Sequence, residues 1–422
     1  MKKIAHLYFP KAVYSEFDAI APLLLELCQA NGKVYTVVFD SHVIATIENS
    51  FLHKKIFQEL GDFYDFSSGK NSKLRLLHSI TQIFSIFRFI IFILSVGIKY
   101  QKKNVLFNWP AGGINQGFKH RFLYKIILFT ARFIGSAVYS FPGIQAPYTK
   151  ALFERFSAEG AKKMSKFEKR GKGEEIKPTI NQTDKLVFTD EHRRLLREVN
   201  GFKKNIHTIG LPRLYASWQD YRKKYGAIDF QKTLSEIGLK NIPPKCITIL
   251  VTNPEYPWFK KDHDFYSMLE EAVASIRLFF PNEIIFLKTK PSPKDAPFEI
   301  SDLIKNYQSM NKHDNVYIYV RSLASLADNS IFCLSIAESS GIFDFLTAGI
   351  PAIEYSDYCE EYLQIFPEIN PWAGTPGFFI AHNVDDLRNL IRKVAAKKVR
   401  YSHNELCDHV LHRKNLQALS ID

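Results

Sequence analysis

The residues best suited to hold an anion stand together at Ala337-Glu338-Ser339-Ser340-Gly341. They lie between a strand-like apolar run, Ile331 to Ser335, and a helix-like one, Ile342 to Ala348. A helix N-terminus presents unpaired N–H groups and a partial positive charge; serine adds hydroxyl donors, and glycine lets the backbone approach a ligand closely. That combination suits phosphate. The same residues read equally as an ordinary helix start, with Ser339 or Ser340 as N-cap. A second pattern, Asp262-His263-Asp264, has the spacing with which two carboxylates share a metal ion. It follows Lys260 and Lys261 at the start of a helix-like run, and so short a pattern arises easily by chance, so no metal is expected there. No HExxH, Walker A, GxSxG or clustered Cys/His pattern is present.

The elements that must position these groups alternate between strand-like and helix-like runs, the pattern of α/β domains with parallel sheets. In the first half the strands are Ile4 to Phe9, Lys33 to Phe39, Asn104 to Asn108 and Lys185 to Phe188, closed by a strand and turn over Ile206 to Arg213. Helical stretches run from Phe17 to Ala30 and from Tyr215 to Leu239. Glu159 to Asp184, dense in Lys, Glu and Gly, reads as a loop. Beyond Pro243-Pro244, taken as a domain seam, strands at Cys246 to Thr252, Glu283 to Lys288, Val316 to Tyr319, Ile331 to Ser335 and Ala352 to Tyr355 alternate with helices. Those helices run over Asp264 to Phe279, Ile300 to Met310, Ser322 to Asp328 and Ile342 to Ala348. A chain of 422 residues with 46% hydrophobic and 23% charged residues has enough apolar content for two such cores.

The net charge of +13 favours an anionic neighbour, whether nucleic acid, anionic lipid or a phosphorylated substrate, or else a solvated basic face. Five scattered cysteines (Cys28, Cys246, Cys333, Cys359, Cys407) fit neither a disulfide framework nor a zinc site, and suit a reducing compartment. Met1 runs into the first strand without a cleavage pattern, so Met1 is read as the mature start. Ile83 to Ile98 is apolar but interrupted by Arg88, and is shorter than the ~20 residues a spanning helix needs. Together with Phe122 to Phe133, it reads either as core helix or as a surface lying on anionic lipid.

The stretch SIAESSGIFDFLTAGIPAIEY, residues 335–355, resembles the nucleotide-binding segment of GT-B glycosyltransferases that build bacterial surface polymers. The likeness is greatest to CDP-glycerol glycerophosphotransferases and to capsule-type enzymes using CMP-linked Kdo or sialic acid. In those families a Ser pair precedes a helix carrying an acid, and a G-x-P turn follows; here Ser339, Ser340, Asp344, Gly349 and Pro351 match. The resemblance implies that the serines and Gly341 meet donor phosphate, with Asp344 or Glu338 near ribose or base. Leu250 to Pro254, with Thr252 and Asn253, resembles the first strand-loop facing the donor, and Lys288 to Pro293 resembles a K-x-H-P element. Ser292 stands where those families carry His, leaving Lys288 or Lys290 to supply positive charge. Gly210-Leu211-Pro212-Arg213 resembles the G-x-P-R turn that ends their N-terminal domain; otherwise it is a surface turn.

The expected fold is therefore α/β GT-B, with two Rossmann-like doubly wound domains facing each other across a cleft. Residues 1–213 form the acceptor domain, 214–243 a helical linker, 244–400 the nucleotide-sugar domain and 401–422 a helix or tail. Catalytic candidates are Glu16 and Asp18, as general base or nucleophile, though acids at a helix start are favoured by its dipole anyway. Asn108-Trp109 and the pair Gly112-Gly113 follow a strand and would admit an acceptor, with Trp109 stacking on a sugar; a plain loop is the rival reading.

The expected activity is transfer of a CMP-linked acidic sugar, of Kdo or sialic acid type, to a bacterial surface glycan or lipid-linked glycan, without metal or cofactor. A CDP-polyol phosphotransferase, a UDP-sugar glycosyltransferase, a nucleotide-sugar epimerase and a non-catalytic glycan or nucleic-acid binder are the alternatives. Nucleic acid is not the expected partner, because the chain lacks a module interleaving aromatic and basic residues. The expected place is the cytoplasm, either free or at the inner face of the membrane.

Overall fold

Long apolar runs interrupted by short polar turns give strands that are buried on both faces, as parallel sheets require. The computed structural model describes residues 4–10, 14–30, 32–48, 50–67, 75–107, 118–141, 185–188, 206–236, 238–239, 245–251, 262–288, 315–319, 321–337, 339–356, 372–410, 412 and 414–419. These fall into two compact units. The first extends to Trp218 and takes back the C-terminal segment from His412; the second starts from Gln219 and runs up to that return.

In the first unit β1 (Ile4–Phe9), β2 (Lys33–Val38), β3 (Asp62–Asp65), β4 (Lys102–Phe107), β5 (Ala137–Ser140), β6 (Lys185–Phe188) and β7 (Ile206–Thr208) form one sheet. Their order is β3-β2-β1-β4-β5-β6-β7, with every neighbouring pair parallel. The helices are α1 (Tyr14–Gln29), α2 (Ser41–Glu48), α3 (Phe51–Lys54), which continues as a π-helical turn over Lys55–Leu60, α4 (Arg75–Lys99) and α5 (Phe118–Phe133). Phe89, Ile93 and Val96 of α4 and Ile127, Leu128 and Ala131 of α5 pack on Ala5, Leu7, Val37, Val105 and Val138 of the sheet. The strands expected from the sequence are present, and β3 and β5 are additional to them. β3 is a short edge strand with acids at both ends, Asp62 pairing with Lys33 at 2.8 Å, so it has no apolar run to announce it.

The second unit begins within α6 (Ala216–Glu236) and holds β8 (Cys246–Leu250), β9 (Ile284–Lys288), β10 (Val316–Tyr319), β11 (Ser330–Ile336), β12 (Ala352–Tyr355) and β13 (Phe378–Ala381). The order β10-β9-β8-β11-β12-β13 is all parallel. The chain winds outward one way from β8 and the other way from β11, the doubly wound order. Its helices are α7 (Asp262–Phe279), α8 (Leu323–Ala327), α9 (Ile342–Leu346), α10 (Val384–Ala395) and α11 (His403–His409). Phe265, Leu269, Val273 and Ile276 of α7, with Leu387, Ile391 and Val394 of α10, cover the buried strands. The expected loop at 159–184, the Pro243-Pro244 seam and the helix over 300–310 lie outside the described residues.

Candidate functional site

The sheet of the second unit switches direction between β8 and β11, and in such sheets ligands sit beyond the carboxyl ends of the strands at that point. The segment after β11 is built tightly there. Ala337 takes a left-handed φ of 59°, which costs a non-glycine residue on the order of 1 kcal/mol. The strain is held by two bonds: the Ser335 hydroxyl donates to Ala337 O at 2.5 Å, and Ala337 N–H donates to Tyr355 O at 2.9 Å.

Ser339 and Ser340 follow, both half-buried, at the mouth of α9. The N-cap is neither serine but Gly341, with no side-chain cap bond. Instead the Ser339 hydroxyl accepts from Gly341 N–H at 3.3 Å, while the N–H groups of Ile342, Phe343 and Asp344 donate to the carbonyls of Ser339, Ser340 and Gly341. These N–H groups therefore already have partners, and the donors the segment offers a ligand are chiefly the two serine hydroxyls. A Cβ at 341 would come 2.9 Å from Leu323 Cδ1 and 3.1 Å from Leu250 Cδ1 at the end of β8, so a side chain there would push those two leucine tips aside. At the other end of α9, Gly349 (φ 76°) donates to Leu346 O, and Ile350 N–H donates to Phe345 O. This Schellman closure lets Pro351 enter the next strand.

Lys288 ends β9, next to β8, and is 8% exposed; its carbonyl accepts from Val251 N–H at 2.9 Å. Two strand spacings separate β9 from β11, roughly 10 Å, a span that a nucleotide phosphate and a long lysine side chain can bridge. Asp344, expected near ribose or base, is only 1% exposed. It therefore lies inside the unit.

Two residues that hold this segment carry no local sequence signal. Arg222 of α6 is buried, with Nε 2.8 Å from Asp328 Oδ2 and Nη1 donating to Asp344 O at 3.2 Å. The Tyr401 hydroxyl lies 2.7 Å from Leu346 O and 3.1 Å from Ile350 O, and its single hydrogen is shared between these two carbonyls, the nearer being Leu346 O. Both satisfy carbonyls at the end of α9 from positions remote in sequence. Thr252, Asn253, Lys290, Ser292 and Glu338 lie outside the described residues, and the Asp262, His263 and Asp264 side chains at the start of α7 are likewise not described.

In the first unit, Glu16 lies in the first turn of α1, with its side chain outside the described set. Asp18 is interior, 2% exposed, its carboxylate accepting from His53 Nε2 at 3.0 Å. Phe17 and Phe57 pack on the His53 ring. As found, Asp18 orients a buried histidine and does not face solvent. Arg213 is 3% exposed, and Leu211, Pro212 and Leu214 around it are buried too, so this turn is not on the surface. Asn108, Trp109, Gly112 and Gly113 lie outside the described residues.

No protein-family profile and no curated protein matches the chain. Among solved structures, it is similar to a Listeria monocytogenes protein named for UDP-N-acetylglucosamine 2-epimerase activity, with 12% identity, a TM-score of 0.51, and coverage of 100% of this chain and 95% of that one. It is also similar to the UDP-GlcNAc 2-epimerase of Neisseria meningitidis bound to UDP-GlcNAc, with 13% identity, a TM-score of 0.50, and coverage of 98% and 95%. Likeness at this identity is one of fold. Together with the two parallel-sheet α/β units, it establishes the GT-B architecture read from the sequence.

Proposed function

We propose that the chain is a nucleotide-sugar glycosyltransferase whose donor phosphate binds at the carboxyl edge of the second unit's sheet. The observation that carries this is the presence of Lys288 and Ser339-Ser340-Gly341 at one strand-end edge, beside the β8/β11 switch point. As the anomeric C–O bond to phosphate breaks, its electron pair goes to the phosphate, and an ammonium with two hydroxyls stabilises that charge. The acceptor hydroxyl oxygen forms the new bond to the anomeric carbon, and its proton goes to a carboxylate. Glu16 is the candidate for that role, since Asp18 is engaged with His53. The resemblance of residues 335–355 to capsule-type and glycerophosphotransferase sequences favours a CMP-linked acidic sugar as donor and a bacterial surface glycan as acceptor. UDP-sugars and CDP-polyols are the alternatives.

A second reading, nucleotide-sugar epimerisation, is favoured by one observation: the two solved structures with TM-scores of 0.51 and 0.50 are both named as UDP-GlcNAc 2-epimerases. An epimerase converts its substrate alone, whereas a transferase releases nucleotide only with an acceptor.

The test is a thermal shift with CMP, CDP and UDP, followed by incubation of the matching nucleotide sugar with and without a glycan acceptor. Ligand at a hundred times its Kd adds about 2.7 kcal/mol, a rise of several degrees. Lys288→Ala and Ser340→Ala should each weaken the binding nucleotide about tenfold or more. Silence from all three nucleotides sinks the donor site, and undiminished binding by both variants places it elsewhere.

A further inference from the structure

Helix α4 is apolar on two opposite faces. Phe89, Ile93 and Val96 are buried against the first unit's sheet. On the other side Ile83, Phe84, Phe87, Ile91, Leu94 and Ile98 stand exposed, from 36% at Leu94 to 90% at Ile98. At 3.6 residues per turn these six side chains fall within an arc of about 100°. Beside them on α5, Phe129 and Phe133 are 74% and 72% exposed. A groove of about 510 Å³ between the two helices is lined by Ile90, Leu94, Ile126, Phe129 and Phe133. The exposed apolar area is on the order of several hundred Å², the size at which a surface patch signals a binding face.

Charge tells which partner this face suits. Neither α4 nor α5 contains an acidic residue, and between them they carry Arg75, Arg88, Lys99, Lys119, Arg121, Lys125 and Arg132. Arg88 and Lys99 lie on the flank of the apolar arc of α4; Lys125 and Arg132 stand one step around α5 from its exposed phenylalanines. All four are exposed, and the Arg88 guanidinium sits 5.8 Å from the Phe66 ring centre, which holds it at the edge of the strip. Apposing this face to a second copy of itself would bring like charges together. Among the described residues no helix is long and apolar enough to cross a membrane. An apolar strip edged with Lys and Arg is what lies in a bilayer's headgroup layer, with basic stems reaching out to lipid phosphates.

We propose that the α4–α5 face docks the protein on a bilayer containing anionic phospholipid, with the phenylalanines and isoleucines at the acyl boundary and Arg88, Lys99, Lys125 and Arg132 at the phosphates. The proposal stands independently of the nucleotide site.

The test is flotation of the full chain with vesicles of phosphatidylcholine alone, or with about a third phosphatidylglycerol. The full chain should float with the anionic vesicles and bind the neutral ones about tenfold less. A Phe84→Ser, Phe87→Ser, Phe129→Ser variant should lose binding by about tenfold or more. An Arg88→Glu, Lys125→Glu, Arg132→Glu variant should do so at low salt, both keeping the circular dichroism melt of the parent. Should the multiple variants misfold, the fluorescence of the conservative Phe129→Trp variant should be quenched by brominated acyl chains. The idea is overturned by a parent chain that fails to float, by folded variants that float as well as the parent, or by an introduced indole that bromine does not quench. It is also overturned by a parent dimer in light scattering that the serine variant converts to monomer, since the face would then belong to a second copy.

Discussion

Burial holds the His6 imidazole neutral, pushing its pKa down from 6.5 to about 4. The Asn104 amide nitrogen lies 3.0 Å from Leu419 O, which can only accept, so that nitrogen is the donor and His6 Nδ1, at 3.3 Å, accepts from it as well. The proton then sits on Nε2, which has no partner among the described residues. Between about pH 4 and 6.5 the unfolded chain binds a proton that the folded one excludes. The contribution to stability is thus present above pH 6.5 and is lost as pH falls toward 4, by up to about 3 kcal/mol. The melting temperature should fall across that window, and His6→Gln should flatten the curve there; an unchanged slope would assign the acid sensitivity to other groups. Nothing local in the sequence marks His6, Asp18 or Arg213 as interior. Each is a polar residue whose burial is set by partners such as Asn104 and His53, 98 and 35 positions away.

Most elements of the second sheet were legible because parallel strands are continuous apolar runs. The short polar β3 and four-residue β5 were not, since pairing with neighbours and not composition makes them strands. Helix α10 is absent from the sequence reading although its signal is present: Leu387, Ile391 and Val394 recur at helical spacing and are buried. Its N-cap is Asn383, whose side chain accepts from Asp386 N–H at 2.9 Å. Asn383→Ala should cost about 1 kcal/mol and Asn383→Asp little. Urea titration of both variants checks this, and equal losses would show that the side-chain bond is not what caps the helix.

Across the whole chain, the C-terminal segment returns to the first unit. His412 Nδ1 accepts from Leu211 N–H at 3.0 Å, Lys414 pairs with Glu26, and Leu419 is fully buried. Deleting residues 412–422 exposes the site of one leucine and strips partners from Leu211, Asn104 and Glu26. Roughly 3–5 kcal/mol of the first unit's stability should go with them. Limited proteolysis should then cut the first unit first, leaving fragments of the second; parallel loss of both units would show that they unfold together.

The sequence by itself determined the α/β class, the strands that lie in apolar runs, and the Ser339-Ser340-Gly341 segment between strand and helix, because all of these rest on contacts within a few residues. Strand order, the pinning of α9 by Arg222 and Tyr401, the interior placement of Asp18, Arg213 and Asp344, and the outward apolar face of α4 were decided only by the tertiary structure. Whether a side chain is buried depends on what packs over it, and those partners come from segments far away along the chain.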